Sequence, residues 1–498
     1  MALLLGYDAG SSSIKAALLK AETGELLASA ASPSVELEIT APRPGWAEQD
    51  PEMWWDHLKR ATAMLKDSVG VDLREVKAVG ISYQMHGLVA VDKRLRPLRP
   101  AIIWCDSRAV PLGDVAFHEL GEETCLGRLL NSPGNFTASK LRWVREKEPK
   151  IYDKIYKVML PGDYLAARMT GEVFTTPSGL SEMILWDYRR DGVADFILKY
   201  YDISSDLLPR VVPAFAEQGT LLPGPAEELG LQPGTPVAYR AGDQPNNAFS
   251  LKVLHPGEVA ATVGTSGVVY GVMGEPRCDP ESRVNIFVNV NSHRETPRYG
   301  VLLCVNGTGI LNQWMKRNLA GYGERWDYPA MNELAAEAPV GSLGLAILPY
   351  GNGAERTLGN RDIGASFHGV NFNLHTRSHL LRAAQEGIVF ALQFGLEIMH
   401  SMGLEVHTVR AGRTNMFLSP LFGEAFAAVT GTQVELYDTD GARGAARGAG
   451  LGAGVYRNLE EAFIGLERVG VIVPDPQKQE AYGEAYLRWR EILMRYLG

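Results

Sequence analysis

Two short turns of small and hydroxyl residues carry the most chemical information in this chain. Asp8-Ala9-Gly10-Ser11-Ser12-Ser13 follows the apolar run Leu3-Leu4-Leu5 and precedes Ile14 to Leu19. Gly264-Thr265-Ser266-Gly267 lies between Val259 to Val263 and Val268-Val269-Tyr270. A strand, such a turn and a second strand aim backbone N–H groups into a concavity, a nest that binds phosphate. Gly10 lets the backbone approach the anion, and Ser11, Ser12 and Ser13 add hydroxyl donors. Gly264, Thr265 and Ser266 repeat the arrangement half a chain later. Asp8 would repel a bare anion, so it makes sense only with a cation; Mg²⁺ keeps several waters and one Asp is enough for it. Taken alone, the first motif also reads as an ordinary hairpin with an acidic turn residue. Its echo in the other half points to two related domains that close on one polyphosphate.

Asp243, in Arg240-Ala241-Gly242-Asp243-Gln244-Pro245, follows an apolar strand. A carboxylate at a strand end can orient an attacking hydroxyl and take its proton, while most of the acceleration in phosphoryl transfer comes from positioning and charge neutralisation. The competing reading is a loop Asp capping a helix that begins near Asn247. Met85-His86-Gly87 interrupts another strand. His86 could hydrogen-bond a polyol and Gly87 could clear space for it; a structural histidine is the alternative. No second His or Cys lies within four residues of His86, which excludes the usual zinc spacing. Gly450 to Gly454 neither follows a strand nor has the G-x-G-x-x-G order, so it is no dinucleotide fingerprint.

The elements that must position these residues are legible in outline. Residues 3–30 read strand, turn, strand, turn, strand, with Gly24 at a turn position that favours positive φ. Asp50 before Pro51 starts a helix. Val76 to Ser82 and Leu88 to Val91 are strands around the Met85 turn, and Ala101 to Trp104 is a further apolar run. The stretch 241–257, rich in Gly, Pro and Asn, reads as a hinge. Val406 to Ala411 is a strand, Gly412 to Asn415 a turn, 416–430 a helix and Val434 to Tyr437 a strand. Gly441 to Gly454 alternates small residues and reads as a helix packed tightly on a sheet. Tyr482, Tyr486, Trp489, Leu493 and Tyr496 recur at helical spacing near the end.

The bulk properties set limits. A chain of 498 residues exceeds one core, so two domains are expected, divided here into 1–246 and 247–498. Hydrophobic content of 46% and charged content of 21% are those of a globular protein. A net charge of −9 argues against nucleic acid or an anionic membrane as partner. The residues before Asp8 are too few for a signal peptide or a membrane span. Cys105, Cys125, Cys278 and Cys304 form no C-x-x-C pair and read as reduced thiols, which points to the cytoplasm.

These pieces occur together, in order and over nearly the full length, in the FGGY carbohydrate kinases, which this chain resembles. Asp8 to Ser12 is similar to the family's opening D-x-G-[ST]-S turn. Gln84-Met85-His86-Gly87 is the Q-M-H-G of the members that act on D-xylulose. Trp46 to Pro51 resembles W-x-E-Q-D-P, Pro100 to Arg108 resembles R-P-A-I-x-W-x-D-x-R, and Leu160 to Leu165 is a further family segment. Gly264 to Gly267 is similar to the second phosphate turn, and Leu348 to Thr357 to L-P-Y-x-x-G-E-R-T with an insertion.

The resemblance implies an α/β fold of two ribonuclease-H-like (actin-type ATPase) domains flanking a cleft for nucleotide and sugar. It implies ATP and Mg²⁺ as cofactors and phosphorylation of a ketopentose, D-xylulose, at its terminal hydroxyl. Asp243 is then the catalytic base, and Asp8 lies near the phosphates, with Asp8 and Asp243 toward the metal. Met85, His86, Gln244 and Trp104 face the sugar. Gly10, Ser11, Ser12, Gly264, Thr265 and Ser266 hold phosphates, and Gly412, Arg413 and Asn415 border the adenosine. A homodimer is the assembly allowed for. Three departures stand out: Gln244 in place of the usual Asn, Arg410 to Asn415 in place of a G-G-G-A-x-S run, and the insertion within 350–355. The first keeps open another ketose or polyol as substrate; the second keeps open a catalytically degenerate sugar or nucleotide sensor.

Overall fold

A computed structural model of the chain describes residues 2–68, 70–320 and 326–498. Contacts divide it into two units. The first comprises 1–252, 286–299 and 439–466; the second comprises 253–285, 300–438 and 467–498.

In the first unit, β1 (Leu3–Ala9), β2 (Ile14–Lys20) and β3 (Leu26–Ser32) form an antiparallel meander. Gly24, at φ 68°, turns the second hairpin, as its position in the sequence leads one to expect. Helix α1 (Pro51–Ser68) starts as expected, with Asp50 Oδ1 accepting from the Glu52 N–H at 3.0 Å. It buries Trp54, Trp55, Leu58 and Leu65 toward β2 and β3. Strand β4 (Val76–Tyr83) runs parallel to β1, and β5 (Val237–Gly242) runs parallel to β4, giving the order β5-β4-β1-β2-β3. The register pairs Ala9 with Tyr83 and Tyr83 with Gly242. The carboxyl ends of β1, β4 and β5 therefore share one edge, where open α/β sheets carry their ligands.

Two details differ from the sequence expectation. The stretch 241–257 is mostly not a loop: β5 runs to Gly242 and helix α2 (Asp243–Ser250) begins at once. Pro245 falls in the first turn, where its missing N–H has no helical partner to lose. Asp243 thus opens a helix, rather than capping one that starts at Asn247. After His86 the chain also does not resume the same strand. Val89–Val91 pairs with Lys157–Met159 in a separate ribbon.

The second unit repeats the topology. Strands β6 (Glu258–Val263) and β7 (Gly267–Met273) form the expected hairpin, with β8 (Tyr299–Val305) beyond it. Helix α3 (Gly309–Leu319) follows β8, and the 25-residue helix α4 (Arg377–Ser401) is buried along much of its length. Strand β9 (Thr408–Gly412) lies parallel to β6, and β10 (Val434–Tyr437) lies parallel to β9. The order β10-β9-β6-β7-β8 matches β5-β4-β1-β2-β3 element for element, with β11 (Arg468–Ile472) added at the β10 edge. The helix expected over 416–430 is broken. A 3₁₀ turn covers Asn415–Leu418, and α5 (Pro420–Thr430) starts where Ser419 Oγ accepts the Phe422 N–H at 3.3 Å. Helix Pro476–Leu497 buries Tyr482, Tyr486, Trp489 and Leu493, whereas Tyr496 is 40% exposed.

Helix α6 (Gly441–Gly452) returns to the first unit and lies on β1, β4 and β5. Its small residues are a packing requirement. A Cβ on Gly6 would sit 1.9 Å from Ala442 O, one on Gly80 2.0 Å from Ala445 O, and one on Gly452 1.8 Å from Ala238 O. Among the described residues no helix is long and apolar enough to cross a membrane. None of the four cysteines is in a disulfide.

Candidate active site

In the first unit the parallel register brings Asp8 beside Ser82, whose hydroxyl donates to Asp8 Oδ1 at 2.8 Å. The N-terminus of α6 meets the same carboxylate: a Cβ on Gly441 would lie 2.6 Å from Asp8 Oδ2. Exposed N–H groups at a helix start favour an anion. Burial nevertheless raises the Asp8 pKa above the ordinary range, with Asp440 adding to it, while Lys15 and the Ser82 hydroxyl pull it back. Asp243 responds to the same field. Burial, then the Asp8 charge, raises it from 3.8 to about 7 against hydrogen bonds from the Gln244 side chain and backbone. Two buried carboxyl groups, one of which raises the pKa of the other, outside any cage of three or more His, Cys, Asp or Glu among the described residues, suit a cation that retains its own water.

Met85 and His86 stand at the end of β4 beside this pair. A Cβ on Gly242 would approach Met85 Cγ to 2.6 Å, so the residue before Asp243 must be small. His86 adopts φ 58°. Its Nδ1 lies 3.0 Å from the Glu182 carbonyl oxygen, which can only accept. Nδ1 therefore donates in this bond, and in the neutral tautomer Nε2 is an acceptor. Phe136 meets the ring edge-on at 4.9 Å between centroids, and Phe287 lies at 5.4 Å. The turn 10–13 is fixed from behind: Gly10 N–H donates to Ser13 O at 3.1 Å and Gln49 Nε2 to Ser11 O at 2.8 Å. Trp104 is 45% exposed and its Nε1 donates to Ser11 Oγ at 3.2 Å, tying this residue to the first turn. Asp8, Met85, His86, Asp243 and Gln244 thus gather at one sheet edge, with Trp104 on the adjoining turn.

The second unit holds a cavity of about 360 Å³ whose walls include Gly264, Thr265 and Asn415. Ser266, Gly412 and Arg413 are not among its walls. Gly412 ends β9, and the Arg413 N–H donates to Tyr437 O at 2.9 Å while its side chain is exposed. The start of α3 closes on the turn: Ile310 N–H donates to Thr265 O at 3.1 Å, and a Cβ on Gly309 would sit 1.9 Å from Gly264 O. Asn312, also in the wall, is buried, and its Oδ1 has no hydrogen-bond partner among the described residues. Asn415 takes φ 53°, a left-handed conformation that Asn tolerates where most residues do not. The segment with the insertion braces the approach to α3. Asn306 Nδ2 donates to Ala354 O at 3.0 Å, and the Glu355 carboxylate accepts the N–H groups of Asn306 and Gly307.

Several residues of these sites escaped the sequence reading. Gly307-Thr308-Gly309, between an apolar run and a helix, was a visible signal for the wall of the cavity. Glu182 and Lys140 had none. Lys140 is fully buried, donates from Nζ to His86 O at 2.8 Å and to Ile103 O at 3.0 Å, and has its pKa pulled down to about 7 by burial.

Comparison with known proteins agrees with this arrangement. Residues 3–250 match the N-terminal domain of the FGGY family of carbohydrate kinases, and residues 259–455 match its C-terminal domain. The xylulose kinase of Escherichia coli K12 is 31% identical over 99% of each chain. That of Bacillus subtilis 168 is 28% identical over 99% of this chain and 97% of the relative. The crystal structure of xylulose kinase from Rhodospirillum rubrum superposes with a TM-score of 0.87 at 25% identity, covering 99% of both chains. A second, a kinase from Brucella ovis, gives 0.86 at 26% identity over the whole of both chains. With both family domains matched in sequence and the same strand order in each unit, this chain belongs to the FGGY family of carbohydrate kinases.

Proposed function

We propose that the protein is an ATP-dependent xylulose kinase, which moves the γ-phosphoryl group of ATP to the terminal hydroxyl of D-xylulose and releases D-xylulose 5-phosphate and ADP. The observation that carries this reading is Asp243, a carboxyl group at a strand end whose pKa lies near 7, beside Met85 and a Gln244 side chain that bonds to it. A general base works best when its pKa is close to the operating pH. Asp243 accepts the proton of the attacking hydroxyl, and His86, Met85, Gln244 and Trp104 orient the ketose. His86 Nε2 accepts from a sugar hydroxyl, the role its tautomer leaves it.

Gly10, Ser11, Ser12, Gly264, Thr265 and Ser266 supply donors to phosphate oxygens. The cavity beside Gly264 accepts adenosine: Asn312 Oδ1 in its wall, without a partner among the described residues, suits an N–H donor of a purine. Asn415 lines that cavity, and Gly412 and Arg413 flank it in sequence. Asp8 and Asp243 would hold Mg²⁺, which neutralises phosphate charge when bound. The relatives named xylulose kinases support the choice of sugar.

The test is ADP release from MgATP with D-xylulose beside D-ribulose, L-xylulose, D-fructose, glycerol and no sugar. The expected result is a rate that depends strongly on D-xylulose. A preference for another sugar would keep the kinase and move the substrate, with Gln244 the first suspect. No sugar-stimulated release would favour a degenerate sensor and refute the reading.

A further inference from the structure

We propose that Glu182 is a positioning residue of the acceptor site: its one buried carboxyl group ties the His86 turn, the end of β4 and the Gly242–Asp243 junction into a single geometry. The inference rests on the sugar-kinase reading above and adds to it a residue that never touches the substrate. Glu182 ends the short helix Pro177–Glu182, which Thr176 caps by accepting the Gly179 N–H at 3.0 Å. It has no solvent exposure. Oε1 accepts from the Tyr83 hydroxyl at 2.7 Å, and Oε2 accepts the His86 N–H at 3.3 Å. The Glu182 backbone carbonyl takes the His86 Nδ1 proton at 3.0 Å. A Cβ on Gly242 would lie 3.2 Å from Oε1, so the carboxyl also abuts the residue before Asp243. His86 is thus held at two atoms by one residue, in a left-handed conformation that a residue with a Cβ adopts only when its surroundings impose it.

A packing role alone does not account for this group. Fully buried glutamates are rare unless paired. The charged groups acting on it most strongly are Asp163 and Asp243, both acidic, and burial raises its pKa well above the carboxylate range. An apolar side chain of the same volume would give a cheaper core. What it would not give is two acceptors, one for Tyr83 and one for the His86 N–H. Glutamine can meet both needs, because its carbonyl accepts from His86 while its amide donates to the Tyr83 oxygen. Leucine fills the volume and meets neither.

The experiment compares E182Q, E182L and wild type on whichever sugar the wild type phosphorylates fastest. KM for sugar, KM for ATP, kcat and melting temperature are measured in parallel, with sugar affinity read independently by calorimetry. E182L is expected to raise the sugar KM about tenfold and to lower kcat by a similar factor, because small displacements of an acceptor are costly. Its KM for ATP stays within about twofold, and E182Q recovers most of the loss. Wild-type sugar KM and kcat in E182L would overturn the proposal. So would E182Q as impaired as E182L with ATP affinity and melting temperature falling in step, the pattern of a general core defect. If E182L does not fold, Tyr83→Phe, which removes one partner of the carboxyl, is expected to raise the sugar KM about threefold with the ATP KM unchanged, and no change would overturn the proposal. A wild type that turns over no sugar refutes the kinase reading by itself, and calorimetry on wild type and E182L then still decides whether Glu182 sets sugar affinity.

Discussion

Asp243 should cost the protein stability at the pH where it serves catalysis, and Asp243→Asn exposes that cost. Burial and the Asp8 charge move its pKa from 3.8 to about 7. Between those values the folded chain binds a proton that the unfolded chain has released. Stability from this group is therefore full below the unfolded pKa and is lost as pH rises toward 7 and beyond. Roughly three pH decades at about 1.4 kcal/mol each set an upper limit of ~4 kcal/mol. Asp243 is partly open to solvent, so screening leaves ~1–2 kcal/mol. Asparagine keeps the shape and carries no charge. Its variant should melt about 2–4 °C higher than wild type at pH 8 and by less than half of that at pH 5, by differential scanning calorimetry without nucleotide or metal. Turnover should fall about 10²- to 10⁴-fold in the same variant, the usual range for a lost general base. Equal melting temperatures at pH 8, or the same rise at both pH values, would refute the electrostatic argument. Retained turnover would refute the role of base.

Three further outcomes follow from named contacts. For the wild type, kcat/KM for the sugar should fall about tenfold per pH unit below an apparent pKa near 7, since only ionised Asp243 accepts a proton; a flat profile down to pH 5.5 would argue against it. Gly309→Ala puts a Cβ where Gly264 O now lies 1.9 Å away, so the KM for ATP should rise about tenfold or more while sugar affinity by calorimetry is unchanged. Lys140→Met leaves the buried carbonyls of His86 and Ile103 without their donor, which should cost about 1–3 kcal/mol in urea denaturation and weaken sugar binding more than nucleotide binding.

Local chemistry made much of this legible in the sequence. Both hairpins, the α1 start at Pro51 and the glycine-faced helix from Gly441 are set by neighbours a few residues away, so caps, turns and period reveal them. Asp243 was found as a strand-end acid. Its place at the first position of a helix was not, because Pro245 reads as a breaker although a first-turn proline is tolerated. In the sequence the Met85 turn looks like a pause in one strand, since nothing local says that the next strand pairs with Lys157–Met159. Glu182 and Lys140 were invisible for a deeper reason: their meaning lies in contacts to His86 across 96 and 54 residues. Arg410 to Asn415 lacks two glycines, yet Asn415 takes the left-handed backbone at φ 53° that a glycine would supply.

The late return of α6 has a consequence for how the chain is made. Strands β1, β4 and β5 are complete once residue 242 has left the ribosome, but the face with Gly6 and Gly80 stays uncovered until Gly441–Gly452 has followed. At 5–20 residues per second, about 200 further residues take ~10–40 s. Through that interval the nascent sheet presents a bare, glycine-floored surface, and the second unit, whose residues up to 438 are synthesised in the meantime, can gain most of its structure first. The sheet that is made first is covered only once residue 452 has emerged, and residues 467–498 then complete the second unit. A ribosome that stalls between residues 250 and 440 leaves an exposed sheet of the kind chaperones hold.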